Sequence, residues 1–280
     1  MEFNEILSLI ILPILFALVG LAFGSFSNVL IYRFSNHVPL TMTSRSECPK
    51  CGHQLAWYDN IPLLSFIFLR GKCRYCKEKI SIMYPIIETC GIIIFLGCYY
   101  FFNYGLNLGH WGDPITYNFT YKSIIYSFVI LDLLVMAMID HKTMEVPLTL
   151  QYILVGLCVA TYVTDCILAK NYLIYNLVGL GASLVLLFGV YFAFILIKKQ
   201  EGLGLADITI LCALALALNV FNFVFILLVS SVTCSVIEII KMAVTKENKP
   251  FPFVPYIAFG GVIAIIFGNQ MFNALLPGLL

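Results

Sequence analysis

The chain predicts an all-α polytopic membrane protein, about eight transmembrane helices carrying one small polar insert, and three observations lead there. Of its 280 residues, 61% are hydrophobic and only 11% are charged, against roughly 25% charged in an average soluble domain. The mean hydropathy is +0.96, too high for a wetted surface around a core. Apolar stretches near the ~20 residues that a helix needs to cross the hydrocarbon layer recur from end to end. They are continuous rather than alternating, which argues against a barrel.

The predicted spans are 6–31, 83–103, 122–139, 149–168, 172–197, 206–218, 220–241 and 254–277. The first is too long for a cleaved signal peptide and is preceded by Glu2 and Glu5 instead of a basic region, so it reads as retained. Residues 206–241 read either as two short helices split near Asn219 or as one long bent helix. The chain then divides into a first span (1–31), an insert (32–82) and a larger membrane domain (83–280).

Lys and Arg mark cytoplasmic loops. The loops 32–82, 140–148, 198–205 and 242–253, with Lys241 at their edge, hold every one of the 16 basic residues except Lys122 and Lys170. Those loops are expected in the cytoplasm and both termini outside it. The net charge of +1 carries no information about partners. The partner it implies by composition is the lipid bilayer; no nucleic acid is invoked, and no oligomeric state is implied.

Two aspartates stand out, Asp140 in Leu133–His141 and Asp207 in Glu201–Ile210, each at the end of an apolar segment and both expected on the cytoplasmic side. A carboxylate at a bilayer boundary is expensive and marks a functional site by default. A single one is as readily a residue emerging into water beside His141 and Lys142; two in matching positions are not. Two carboxyl groups facing one compartment can share a proton, as in an aspartic protease. Asp132, two helical turns before Asp140, is a candidate assistant. Glu88 reads as functional, and Glu238 stays open because Lys241 lies one turn away. Gly202 and Gly204 are expected to let the backbone bend beside Asp207.

The insert carries Cys48-Pro-Lys-Cys51-Gly and Cys73-Arg-Tyr-Cys76. Paired C-x-x-C elements suit a tetrahedral zinc, each turn offering two thiolates to one ion. A reducing cytosol argues against two disulfides. A site closed by four thiolates is structural rather than catalytic. The other six cysteines are scattered in or near spans as small buried apolar residues. The aromatic run between the pairs suits either a membrane-surface segment or a packed lid.

Five blocks of this sequence resemble one family. Gly24-Ser-Phe-Ser-Asn-Val-Leu-Ile-Tyr-Arg33 is similar to the N-terminal signature of bacterial prepilin peptidases, the type IV leader peptidases. So are the block from Cys48 through Trp57-Tyr-Asp-Asn-Ile-Pro62, and Arg70-Gly-Lys-Cys73 with Tyr84-Pro-Ile-Ile-Glu88. Glu201-Gly-Leu-Gly-Leu-Ala-Asp207 resembles the family's Gly-x-Gly-Asp segment, and Pro252-Phe-Val-Pro-Tyr-Ile-Ala258 its proline-rich lead-in to the last span.

The resemblance implies an inner-membrane aspartic protease, its active site facing the cytoplasm, that cuts the leader from type IV prepilin-like precursors. Asp140 and Asp207 match its catalytic pair. Many members also methylate the new N-terminal amine with S-adenosylmethionine, an activity associated with the four-cysteine insert. No glycine-rich dinucleotide signature follows a strand, so a cofactor site is expected to be built from the insert and nearby span ends, with Glu88 a candidate to serve the transfer. The chain departs from the pattern at Ala206, usually glycine; Thr209, often lysine; Leu148, often Asp or Asn; and Met83, often Arg. The rival readings are a peptidase without methylase activity, a membrane proton or cation carrier built on the aspartate pair, and a zinc-stabilised assembly platform.

Overall fold

A computed structural model of the protein describes residues 7–39, 46–104, 120–169, 173–199, 204–246 and 250–275. Among them every predicted span is a helix, and the only extended pairing is two isolated bridges in the insert. We label the helices α1 (Leu12–Ser35), α2 (Leu64–Phe68), α3 (Met83–Tyr104), α4 (Thr120–Thr143), α5 (Leu148–Ala169), α6 (Leu173–Lys198), α7 (Leu205–Leu218), α8 (Val220–Thr245) and α9 (Val254–Leu275). Six of them, α1, α3, α4, α5, α6 and α8, are long and apolar enough to cross a membrane. Side chains such as Ile14, Leu18 and Val185 point outward from them, as lipid-facing residues must.

The sequence ended the third span at residue 139 and put Asp140 in a loop. The helix instead runs on through Asp140, His141 and Lys142 to Thr143. Hydropathy falls there, but the backbone stays helical until Met144 takes a positive φ and donates back to the Asp140 carbonyl at 2.8 Å. Asp140 therefore points from a rigid helix.

The chain divides into two compact units at Ser127. In the first, α1 lies against α3 at a crossing of small residues. Gly20 and Gly24, in a Gly-x-x-x-Gly spacing, meet Gly91, and a Cβ on Gly20 would sit 2.5 Å from the Gly91 carbonyl oxygen. Close approach of this kind drives helix association in lipid, where the hydrophobic effect is absent. Phe16 fills the space beyond it, 4.9 Å from the Tyr99 ring. The Asn28 amide, buried on α1, donates to the Tyr84 carbonyl of α3 at 3.0 Å.

In the second unit α7 is the buried element: Ile208, Ile210, Leu211, Leu214 and Ala215 are all shielded. At about 1.5 Å per residue it is shorter than the ~30 Å hydrocarbon layer, which a helix enclosed by protein tolerates. Leu133 of α4 and Leu214 of α7 converge on Gly261 of α9. Between α7 and α8 the chain breaks at Asn219, where φ is 108°, and the Asn219 side chain accepts from the Asn222 N–H at 3.1 Å to cap α8. The region is thus two helices, the first of the two options that the sequence left open. Gly179 of α6 packs on that break, 2.7 Å from the Val220 nitrogen to a Cβ placed there.

Candidate functional site

Each unit carries one polar centre. In the second unit, Asp140 is 6% exposed near the end of α4. Its Oδ2 accepts the N–H of Val254, the first residue of α9, at 3.1 Å. Pro255 follows in that first turn, where proline is favoured and free N–H groups await an acceptor. Asp207 lies half-buried in the first turn of α7. Its Oδ2 accepts the Gly204 N–H at 3.1 Å. This is the reaching-back half of a capping box, and it places a carboxylate where the helix dipole favours one. The two carboxyl groups lie close enough to interact electrostatically. Both predicted aspartates thus sit at helix ends within one unit.

The glycine before Asp207 has a different purpose from the one expected. Gly204 has φ −70° and ψ 144°, open to any residue. A Cβ there would lie 3.0 Å from Asp207 Oδ2, so glycine provides room for the carboxylate rather than a bend. Ala206 is an ordinary helical residue, without the positive φ that would demand glycine. Thr209 turns its hydroxyl to the Leu205 carbonyl at 2.9 Å. Gly202 and Lys170 lie outside the described residues.

The other acidic candidates separate. Asp132 is buried on α4 with Oδ2 lacking a hydrogen-bond partner among the described residues, and it interacts with Cys158 of α5. Glu238 is structural: it accepts from the Tyr256 hydroxyl at 2.9 Å and pairs with Lys241 at 3.5 Å.

In the first unit, the four insert cysteines converge. Their sulfurs all lie within 4.8 Å of one another, and Cys48 Sγ stands 3.9 Å from Cys76 Sγ. Four thiolates around a tetrahedral ion with ~2.3 Å metal–sulfur bonds are about 3.8 Å apart, so the donor set can hold such a metal. Each pair sits on the same turn. The Gly52 N–H donates to the Cys48 carbonyl at 2.8 Å, and the Lys77 N–H donates to the Cys73 carbonyl at 3.0 Å. Both turns end in a positive φ, 68° at Gly52 and 60° at Lys77. The His53 and Tyr75 rings, 3.6 Å apart, join the two turns. Burial works to raise the Cys48 thiol, but N–H groups of Lys50 and Cys51 and the neighbouring thiols outweigh it and bring the pKa down to about 7. At Cys76 the Glu78 N–H lowers the value, yet desolvation and the three other thiols push it up to about 11.

Glu88, at the start of α3, is 8% exposed. Its Oε2 accepts the Leu63 N–H at 2.8 Å, and the Ser25 hydroxyl also bonds to it. Leu63 is strained, with φ 59° and ψ −48°, and the Leu64 N–H closes a tight turn on the Pro62 carbonyl at 2.6 Å. Asp59 holds the insert together: it accepts from Arg74 Nε at 2.7 Å, the Tyr75 hydroxyl at 3.3 Å and the Ala56 N–H at 3.4 Å. Arg74 also lies over the Tyr58 ring at 5.0 Å. The sequence did not single out Asp59, the Leu63 turn or the Val254 N–H. The signals were a lone acid inside an aromatic run, a proline before a helix, and the unsatisfied donors of a helix start.

Residues 18–102 match the Bacterial Peptidase A24 N-terminal domain, and residues 127–239 match the Type IV leader peptidase family. A protein of Vibrio cholerae named prepilin leader peptidase/N-methyltransferase is 33% identical over 226 residues, covering 78% of this chain and 82% of that one. Proteins of the same name in Pectobacterium carotovorum and Aeromonas salmonicida are 31% and 30% identical, each covering about nine-tenths of both chains. No solved structure matches.

Proposed function

The chain belongs to the type IV leader peptidase family, and from that premise we propose that it is a membrane aspartic endopeptidase. It removes the leader from type IV prepilin-like precursors and then methylates the exposed N-terminal amine with S-adenosylmethionine. The observation that carries the peptidase reading is the placement of Asp140 and Asp207 in one unit, each held by one backbone N–H at a helix start.

Hydrolysis of an amide needs an activated water and a proton for the departing amine. Two nearby carboxyl groups hold one proton between them, so one takes a proton from water while the other polarises the scissile carbonyl. The titration belongs to the pair, and neither aspartate is assigned acid or base alone. The N–H groups of Gly204 and Val254 each engage one carboxyl oxygen, Oδ2 of Asp207 and Oδ2 of Asp140. No metal enters this step.

The protein is a multi-pass protein of the inner membrane. The concentration of Lys and Arg in the flanking loops supports a cytoplasmic face for the two aspartates. There a precursor presents its basic leader while its apolar helix stays in the bilayer. Zinc is the metal we assign to Cys48, Cys51, Cys73 and Cys76, in a structural role that ties the insert (32–82) together. When bound, S-adenosylmethionine supplies an electrophilic methyl group, and Glu88 serves that transfer.

The test is purified protein with a prepilin-like substrate, with and without S-adenosylmethionine. Asp140→Asn and Asp207→Asn should each abolish cleavage while the helical circular dichroism stays intact. Full cleavage by either variant removes the dyad. Cleavage without a methyl mass gain on the product removes the transferase half. Metal analysis should find one zinc, lost in a Cys48→Ser/Cys73→Ser variant.

A further inference from the structure

The insert is rich in charge, yet its outer surface carries large apolar side chains. Trp57 and Phe68 are 79% and 80% exposed, and Ile67 is 66% exposed. They come from two elements in contact, the short 3-10 turn Trp57–Asn60 and α2. Asp59, in that same turn, is buried and holds the insert together. In α2 the Phe66 ring packs inward under Gly71, where a Cβ would come within 3.1 Å of it. The helix is therefore apolar on its covered side and on its open side alike. An open apolar surface rimmed by charge marks a contact with protein or membrane.

The fold keeps this surface near the bilayer. Both α1 and α3 are long and apolar enough to cross a membrane. Their glycine contact sets them side by side, and the Asn28 bond to the Tyr84 carbonyl joins the last turns of α1 to the first turn of α3. The insert thus leaves and re-enters at one membrane surface. Gly71 follows α2 closely and Ile80 shortly precedes α3; the Ile80 N–H donates to the Gly71 carbonyl at 2.8 Å. The chain that leaves α2 is stitched to the chain that enters α3.

The charge around the patch has one sign. After Phe68 the chain reverses at once: the Gly71 N–H donates to the Phe66 carbonyl at 2.9 Å, and Arg70 and Gly71 take φ values of 51° and 67°. Lys72 then pairs with Lys79 in an antiparallel bridge, so two exposed cations stand directly opposite each other. Like charges so placed are destabilising. Arg74 shows the contrast, since Asp59 holds it at 2.7 Å. No ion pair of that kind ties Arg70, Lys72 or Lys79 among the described residues. A negatively charged surface would relieve the repulsion. Aromatic rings beside Lys and Arg are also the composition that the boundary between water and lipid favours.

We propose that Trp57, Ile67 and Phe68 enter the headgroup layer of the leaflet from which α1 and α3 emerge, and that Arg70, Lys72 and Lys79 bind anionic phospholipid there. The insert then has a third hold on the membrane besides its two helices. This stands independently of the peptidase and methylation readings.

The test uses full-length protein carrying Trp111→Phe, which leaves Trp57 as its one tryptophan, in lipid nanodiscs. Phospholipid brominated near the headgroup end of its acyl chains quenches a tryptophan that touches it. Replacing ordinary lipid by this lipid should lower the Trp57 emission at least about twofold. Ile67→Ser with Phe68→Ser should abolish most of that quenching while the helical circular dichroism stays intact. Mixing phosphatidylglycerol into phosphatidylcholine discs should deepen the quenching. Arg70→Gln with Lys72→Gln, or high salt, should remove that gain.

Each contrary result has its own meaning. Trp57 emission indifferent to brominated lipid overturns the proposal. Emission shielded from acrylamide in the water yet indifferent to brominated lipid shows that protein, such as a second copy of the chain, covers the face, and overturns it too. Quenching that survives Ile67→Ser with Phe68→Ser takes α2 out of the anchor. Equal quenching in both lipid mixtures removes the selection of anionic lipid.

Discussion

The two units place charged groups in a membrane protein by opposite means. In the first, polar side chains lie in irregular chain, and each is held from several directions: Asp59 by three donors, the cysteines by one another and by paired turns. In the second, nearly everything is apolar helix, and each carboxyl is fixed by one N–H at a helix start. A centre built in loops needs many ties, because no single element is rigid. A centre built at helix ends needs few, because packing has already fixed the helices. The first should therefore fail by losing its ties and the second by losing a chemical group.

The strongest test of that contrast is chemical. Asp140→Asn or Asp207→Asn keeps shape and hydrogen bonding but removes the carboxyl pair. Cleavage should fall by about 10³-fold or more in a precursor-cleavage assay, while the melting temperature barely moves. A drop in melting temperature that accounts for the lost activity would make these residues structural. Next in size is the metal. Chelation, or Cys48→Ser with Cys73→Ser, should release the ion and melt the insert as a separate calorimetric transition, because the binding energy of a structural metal is folding energy. Each aspartate accepts an N–H from within its own unit. Cleavage should therefore fall far less than in the Asn variants, and an equal fall would erase the distinction between the units.

How much of this was legible beforehand follows the same division. The six long spans could be read because lipid imposes a length and an apolar run on each of them, and even the break at Asn219 showed as a polar residue between Leu218 and Val220. The four cysteines could be read because ligand chemistry fixes their spacing. Asp140 was found, but its place inside α4 was not, since hydropathy reports where lipid ends rather than where a helix does. The Leu63 turn and the Val254 N–H were out of reach for another reason. Both act through the backbone, and backbone groups leave no letter in a sequence. Gly204 was noticed and misread: glycine signals both freedom of φ and absence of Cβ, and only geometry tells which one a site uses.

A smaller effect separates packing from chemistry within the first unit. Gly91→Leu would drive a side chain into the Gly20 backbone, whereas a Cβ at Gly97, on the same helix, meets nothing within 4 Å. The first change should destabilise the α1–α3 crossing by about 3 kcal/mol or more, and Gly97→Ala should be nearly silent in the same thermal melt. Equal behaviour of the two variants would show that the helices are held by the insert rather than by their small-residue contact.

The smallest expected effect is at Gly204. Its backbone angles suit alanine, and Gly→Ala at such a position lowers unfolded-state entropy, so the fold should be unharmed or slightly stabilised. The new methyl would nevertheless lie 3.0 Å from Asp207 Oδ2, tighter than ordinary contact. The carboxyl must then shift by a few tenths of an ångström, loosening its bond to the Gly204 N–H and its alignment with Asp140. Misplacement on this scale should slow cleavage by about tenfold, in kcat more than in KM, since the substrate's apolar helix binds elsewhere. A variant that cleaves at the wild-type rate would mean that the space beside Asp207 is slack. The second unit would then fix its carboxyls less tightly than the contrast between the two units requires.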